Sequence, residues 1–337
     1  MTRLETARAP ETPRRSPIRG LATRIGLLLG VLGALAVPDE AEAKPKPPPG
    51  SVVFVQKGAI WRAPLADPKK PEKLIGLPAM RRRMTRLEAA GDGSALLVEL
   101  GRNAAWIDMT AEPLRPVYLP CRGRARLSSS GELVVCASRT RSGTVAYRMR
   151  PQVASWLLDG FDPKVTSLAD VRGERVVVVD SDALWNSPVA QPDQRVQVSP
   201  HVPAGALSIA PDGQRAVGRY TEGESGDSLF GFRLDGQAAR RKLGPGVPVA
   251  WSADSVWLII AAENTACAVR AVGGEYKCWD KYRPLAIDAD GSWVLLAKPP
   301  KGRSRRLELF LGRVSGPHAE KPIKLLLKNV AAATLVP

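Results

Sequence analysis

The chain has 337 residues, a formal charge of +16 and a hydrophobic fraction of 44%, enough for one large all-β domain or two ordinary ones. Its two histidines, His201 and His318, have no Cys, His or paired carboxylate near them in sequence, which argues against a zinc site and leaves no metal or cofactor expected. The basic surplus directs the chain toward acidic polymers or anionic membrane surfaces.

Residues 1–43 read as a secretory signal peptide. Arg14, Arg15, Arg19 and Arg24 form a basic start, and Ile25 to Val37 is an apolar run too short to span a bilayer comfortably. Ala41-Glu42-Ala43 is a small-x-small cleavage signal. An uncleaved anchor is the alternative. Only six Arg and five acids fall in this segment, so the remainder carries nearly all of the net charge. Residues 44–50, rich in Lys and Pro, read as an extended spacer.

From residue 51 to 337 a turn recurs at a period of about 40 residues. The turns are Gly91-Asp92-Gly93-Ser94, Ser129-Ser130-Gly131-Glu132, Val171-Arg172-Gly173-Glu174, Pro211-Asp212-Gly213-Gln214, Ser252-Ala253-Asp254-Ser255 and Asp290-Gly291-Ser292. Each separates two short apolar runs. The runs that follow are Leu96 to Leu100, Leu133 to Ala137, Arg175 to Asp180, Arg215 to Tyr220, Val256 to Ala261 and Trp293 to Ala297, all with strand composition. A third strand in most repeats carries an aromatic, Trp106, Tyr147, Trp185, Phe230 with Phe232, or Phe310, expected to pack between repeats.

This period with about four strands per repeat predicts a β-propeller. Six repeats are complete. Ahead of them Ser51 to Gln56, Ala59 to Pro64 and Lys73 to Leu77 supply only three strands, and Ala332 to Val336 follows the last repeat without a partner of its own. The economical solution is that the C-terminal strand completes the first blade, which removes open sheet edges. The expected fold is therefore a seven-bladed all-β propeller, with six blades as the alternative count.

Ala210-Pro211-Asp212-Gly213, Ala250-Trp251-Ser252-Ala253-Asp254 and Asp288-Ala289-Asp290-Gly291 resemble the Pro-Asp-Gly turns of the WD40-like, TolB-type propeller family. The turn at Val171-Arg172-Gly173-Glu174 departs from that pattern. The resemblance implies architecture and a usual role as an interaction platform, and carries no chemical activity with it.

An even cysteine count in an exported chain favours disulfides. Cys121, Cys136, Cys267 and Cys278 allow three pairings. Cys267 and Cys278 flank Val272-Gly273-Gly274 almost symmetrically, so a hairpin would set them opposite each other. Cys121 and Cys136 then pair across the first hairpin of another blade.

No nucleophile elbow or phosphate loop occurs. The aspartates Asp92, Asp212, Asp254 and Asp290 recur once per repeat and read as turn residues. The acidic stretch Glu222 to Asp227 reads as a loop. The functional signal is basic. Arg81-Arg82-Arg83 and the group Arg122, Arg124 and Arg126 are expected in loops between blades. Arg139 with Arg141, and Lys301, Arg303, Arg305 and Arg306, are expected in loops between second and third strands. Both loop classes open on one face of a propeller. Arg82, Arg83, Arg124, Arg141, Arg303 and Arg305 are the expected contact residues, because the planar guanidinium fork matches carboxylate and phosphate groups.

The expected protein is a monomeric, non-catalytic interaction or scaffold module, periplasmic or secreted, in a bacterial-type envelope. Its expected partner is an acidic protein or an anionic envelope polymer, with membrane-surface contact possible and nucleic acid not expected. The alternatives are a carbohydrate-active enzyme, a lyase or glycosidase using channel carboxylates, and an adhesin for anionic polymers.

Overall fold

A computed structural model describes residues 48–337 apart from 78–85, 101–102, 139–143, 152–153, 158–166, 173, 181–182, 200, 202–206, 222–226, 236–239, 272–275, 299–305, 316–320 and 328; at a few strand positions, Arg124 among them, it describes the backbone alone. The signal-peptide and most of the spacer expectations therefore lie outside the described residues.

The chain forms β1 (Ser51–Gln56), β2 (Ala59–Pro64) and β3 (Glu72–Gly76), then six four-stranded meanders. Blade 2 holds β4 (Arg86–Ala89), β5 (Ala95–Glu99), β6 (Ala104–Asp108) and β7 (Pro116–Leu119). Blade 3 holds β8 (Cys121–Leu127), β9 (Leu133–Ser138), β10 (Thr144–Arg148) and β11 (Ala154–Leu157). Blade 4 holds β12 (Ser167–Arg172), β13 (Arg175–Asp180), β14 (Ala183–Pro188) and β15 (Val196–Ser199). Blade 5 holds β16 (Leu207–Ile209), β17 (Arg215–Thr221), β18 (Asp227–Arg233) and β19 (Arg241–Gly244). Blade 6 holds β20 (Val247–Trp251), β21 (Trp257–Ala262), β22 (Thr265–Arg270) and β23 (Tyr276–Asp280). Blade 7 holds β24 (Arg283–Ile287), β25 (Trp293–Lys298), β26 (Glu308–Arg313) and β27 (Ile323–Lys324). The final strand, β28 (Ala332–Val336), pairs antiparallel with β1 from Val55↔Ala332 to Ser51↔Val336 and becomes the inner strand of blade 1. The seven-bladed count and the closure both stand.

Strand alternation explains the core. Along β1, Val52 and Phe54 point toward blade 7, while Val53 and Val55 point toward blade 2. Every blade repeats this two-sided burial, so the apolar interior is seven clusters, one at each junction between neighbouring blades. Trp106 is buried at the junction of blades 2 and 3, and its Nε1 donates to the Gly131 carbonyl at 2.9 Å. Phe230 and Phe232 fill the junction of blades 4 and 5, and Phe310 that of blades 6 and 7.

The turns between first and second strands are built alike. The Asp212 carboxylate accepts from Gln214 N–H at 2.9 Å, that of Asp254 from Val256 N–H at 2.9 Å, and that of Asp290 from Ser292 N–H at 3.0 Å. This is the side-chain turn that Asp provides. A left-handed residue follows, with φ +67° at Gly213 and +75° at Gly291, a conformation that glycine reaches without a Cβ clash.

Disulfides join Cys121 to Cys136 and Cys267 to Cys278, each within one blade. Cys267 and Cys278 are directly paired across β22 and β23.

Candidate functional site

All inner strands run in one direction, because every blade repeats the same meander. The chain enters them at one face, here the inlet face, and leaves at the opposite turn face, where the Asp-bearing turns lie. The second-to-third-strand connections return to the inlet face, as do the connections between blades.

β4, β20, β24 and β28 wall a cavity of about 1480 Å³ along the ring axis. Val249, Leu285 and Leu307 are among its apolar lining, and Ala89, Ala250 and Ala332 leave it open between the larger side chains. Arg86 and Arg283, the first residues of β4 and β24, stand at its inlet end. Arg86 Nη2 lies 3.4 Å from Glu88 Oε2, with side chains 26% and 11% exposed, and Arg86 Nη1 is buried without a hydrogen bond among the described residues. Glu99, also in the wall, accepts from Ala125 N–H at 3.1 Å. Arg283 is exposed. Beyond it at the same face the Lys298 ammonium lies 5.0 Å from the Phe310 ring centre and 5.5 Å from that of Tyr282, within cation–π range. Arg306 is exposed.

The turn end of the cavity is acidic, with Asp92, Asp288 and Asp290. Asp288 Oδ1 accepts from Trp293 N–H at 2.9 Å. Burial pushes the Asp288 carboxyl up to about 7; the nearby Asp290 charge adds to this and the Trp293 N–H opposes it. Burial raises Asp290 as well, but hydrogen bonds from Ser292 and Asp288 outweigh it and hold Asp290 below the usual carboxylate value. The two carboxyls are therefore held apart in protonation, Asp288 toward its neutral form and Asp290 toward its charged form. Blade 6 has a serine at the matching position. Ser252 Oγ donates to Asp254 Oδ1 at 2.5 Å and accepts from Trp257 N–H at 2.9 Å. Asp288 holds the Trp293 N–H as Ser252 holds that of Trp257, and it neighbours Asp290 as Ser252 neighbours Asp254, which marks the pair as turn architecture.

The predicted contact residues Arg82, Arg83, Arg141, Arg303 and Arg305 lie outside the described residues. The strands joined by 78–85, 139–143 and 299–305 all end at the inlet face. Arg124 is corrected in one respect: its backbone belongs to β8, not to a loop between blades. Arg126, from the same basic group, is buried at 4% exposure. Arg-Gly-Arg reads as a loop locally, but Cys121↔Ser138 and Ala125↔Cys136 pairing to β9, with a register shift between them, draws the segment into the sheet. Sequence reasoning missed Arg86 and Arg283. The signal available was their place at the start of an inner strand, and that emerges only once every blade is phased.

No family model matches the sequence, and none of the curated proteins matches it. Solved structures share its fold at low identity. TolB from Acinetobacter baumannii is 11% identical with a TM-score of 0.50, over 86% of this chain and 67% of that one. A functionally unknown protein from Desulfotomaculum acetoxidans is 11% identical with a TM-score of 0.54, over 85% of this chain and 99% of that one. The dihydro-heme d1 dehydrogenase NirN, solved with DHE, is 14% identical with a TM-score of 0.51, over 84% of this chain and 74% of that one. The fold is a TolB-like β-propeller, an architecture found both in TolB and in a dehydrogenase.

Proposed function

We propose that this propeller is a non-catalytic binding platform, periplasmic or secreted, whose inlet face captures an acidic protein or an anionic envelope polymer. The observation that carries this reading is that the strands joined by 78–85, 139–143 and 299–305 all end at one face, where Arg283, Lys298 and Arg306 also stand exposed. The sequence gives those segments Arg82, Arg83, Arg141, Arg303 and Arg305. Arginine clusters suit carboxylates and phosphates, and a concentrated positive field speeds encounter with polyanions. Two intrablade disulfides accord with an oxidising compartment.

The carbohydrate-active alternative draws little support from Asp288 and Asp290. Glycosidases hold their two carboxyls about 5–9.5 Å apart to admit a sugar or water, whereas these two touch each other and hold a turn.

The test is capture from an envelope fraction by the mature protein, beside a variant with Arg82, Arg83, Arg124, Arg141, Arg303 and Arg305 replaced by Ala. Loss of a discrete anionic partner in the variant supports the proposal. Equal capture at low and moderate salt removes it.

A further inference from the structure

The axial cavity offers surface of a second kind, formed largely by inner strands. Each inner strand pairs with its own blade on one side only, so its other backbone edge is open to the axis. The four strands around the cavity differ in what that edge offers. β20 and β24 each contain a proline, Pro248 and Pro284, followed by a register shift. Both devices blunt strand addition. β4 pairs regularly from Arg86↔Glu99 to Ala89↔Leu96, with neither proline nor shift, and is the inner strand that keeps both a full set of backbone donors and a cation at its start.

We propose that the cavity binds a short peptide as an extended strand along β4, antiparallel to it, with the peptide carboxylate at the inlet end and its ammonium at the turn end. Three features point there. The open β4 edge supplies alternating N–H and C=O groups, which a peptide backbone satisfies and an alkyl chain would bury unpaired. The poles of the cavity set the direction. At the inlet end the charges are mixed: Arg86 is matched by Glu88, Glu99 accepts from Ala125 N–H, and Arg283 has no ion partner among the described residues. Asp92, Asp288 and Asp290 stand at the other. The small side chains Ala89 and Ala332 leave space that Val249 and Leu285 border with apolar surface, suited to small apolar peptide side chains. A pentapeptide spans about 17 Å at ~3.4 Å per residue, and the cavity exceeds the ~300–1000 Å³ of ordinary ligand clefts.

The experiment is calorimetric titration of the mature protein with pentaalanine at low salt. It is compared with the C-amidated peptide, the N-acetylated peptide and a peptide N-methylated at its central residue. The proposal expects saturable one-site binding of the free peptide and about tenfold weaker binding on either capping, one lost charge contact being on the order of 1.4 kcal/mol. It also expects loss of binding on N-methylation. Arg283→Ala, an exposed position that leaves the fold intact, should weaken the free peptide and erase the effect of amidation. The six-arginine face variant should bind pentaalanine as the parent does, which separates this site from the proposed face. Indifference to both caps, or no saturable binding by any of the peptides, overturns the proposal. So does binding of dodecanoate in place of peptide.

Discussion

Replacing Asp288 with serine gives the sharpest test of how the turn face is held together. The folded carboxyl titrates at about 7, against 3.8 for the ordinary group. A raised carboxyl means that the folded state holds its proton more tightly than the unfolded state does. The stability this one group contributes is therefore highest below about pH 4, falls as pH rises through the interval to about 7, and stays reduced above it. Three pH units correspond to about 4 kcal/mol. Asp288 is only half-buried, and screening by solvent reduces this to about 2 kcal/mol. Serine already performs the task in blade 6, where Ser252 makes both contacts without a titrating group. Asp288→Ser should be near neutral at pH 4, more stable than the parent by somewhat under ~1 kcal/mol at pH 5, and by about 2 kcal/mol at pH 8. The measurement is urea unfolding followed by tryptophan fluorescence at pH 4, 5, 6, 7 and 8, at constant ionic strength. Parallel pH profiles for parent and variant would refute the raised Asp288 carboxyl.

Other perturbations test the junctions between blades. Arg150 Nε and Nη2 bond the Asp108 carboxylate at 3.1 and 2.5 Å, and Nη2 also reaches the Ser94 carbonyl at 2.8 Å, tying blade 3 to blade 2. Arg150→Ala should cost about 2 kcal/mol in urea unfolding. Burial raises Asp108, but bonds from Thr110 and Arg150 hold it below its ordinary value. Its contribution is thus present above about pH 4 and lost on acidification, and the variant should lose less stability below that pH. Gly213→Ala meets open space at φ +67° and should cost about 1 kcal/mol. Gly291→Ala, at +75°, also drives a Cβ into the Trp257 ring and should cost about 3 kcal/mol by the same assay. Removing residues 331–337 strips the inner strand from blade 1 and uncovers Phe54, Leu87 and Val98 at two junctions; the expected product lacks a cooperative unfolding transition.

The architecture was legible because its signals are local and repeated. Asp212, Asp254 and Asp290 each hold a tight turn at the same phase, and the unpartnered run Ala332–Val336 called for a partner that β1 supplies. Cys267 and Cys278 were readable for the same reason, lying symmetrically about a hairpin. What escaped depends on the assembled ring. Residues 121–127 look like a basic loop, yet they form β8 and bury Arg126, because the pairing energy comes from β9 and not from the segment's own composition. The opposed poles of the cavity escaped too. Arg86 is far in sequence from Arg283 and Asp290, and the three acquire a common axis only when all inner strands run the same way.

The pairing of β28 with β1 has a kinetic consequence. It joins residues at opposite ends of the described chain, Val55 with Ala332, so it is among the most non-local contacts in the molecule and carries the largest loop-closure cost. Neither disulfide crosses that seam. Closing this seam must bring together strands separated by six intervening blades, a non-local step that slows completion of the fold. A rearranged chain that begins at Ala332 and continues through a short connector into Ser51 would turn the same clasp into a local hairpin. The native contacts would be unchanged while the rate of their assembly rises.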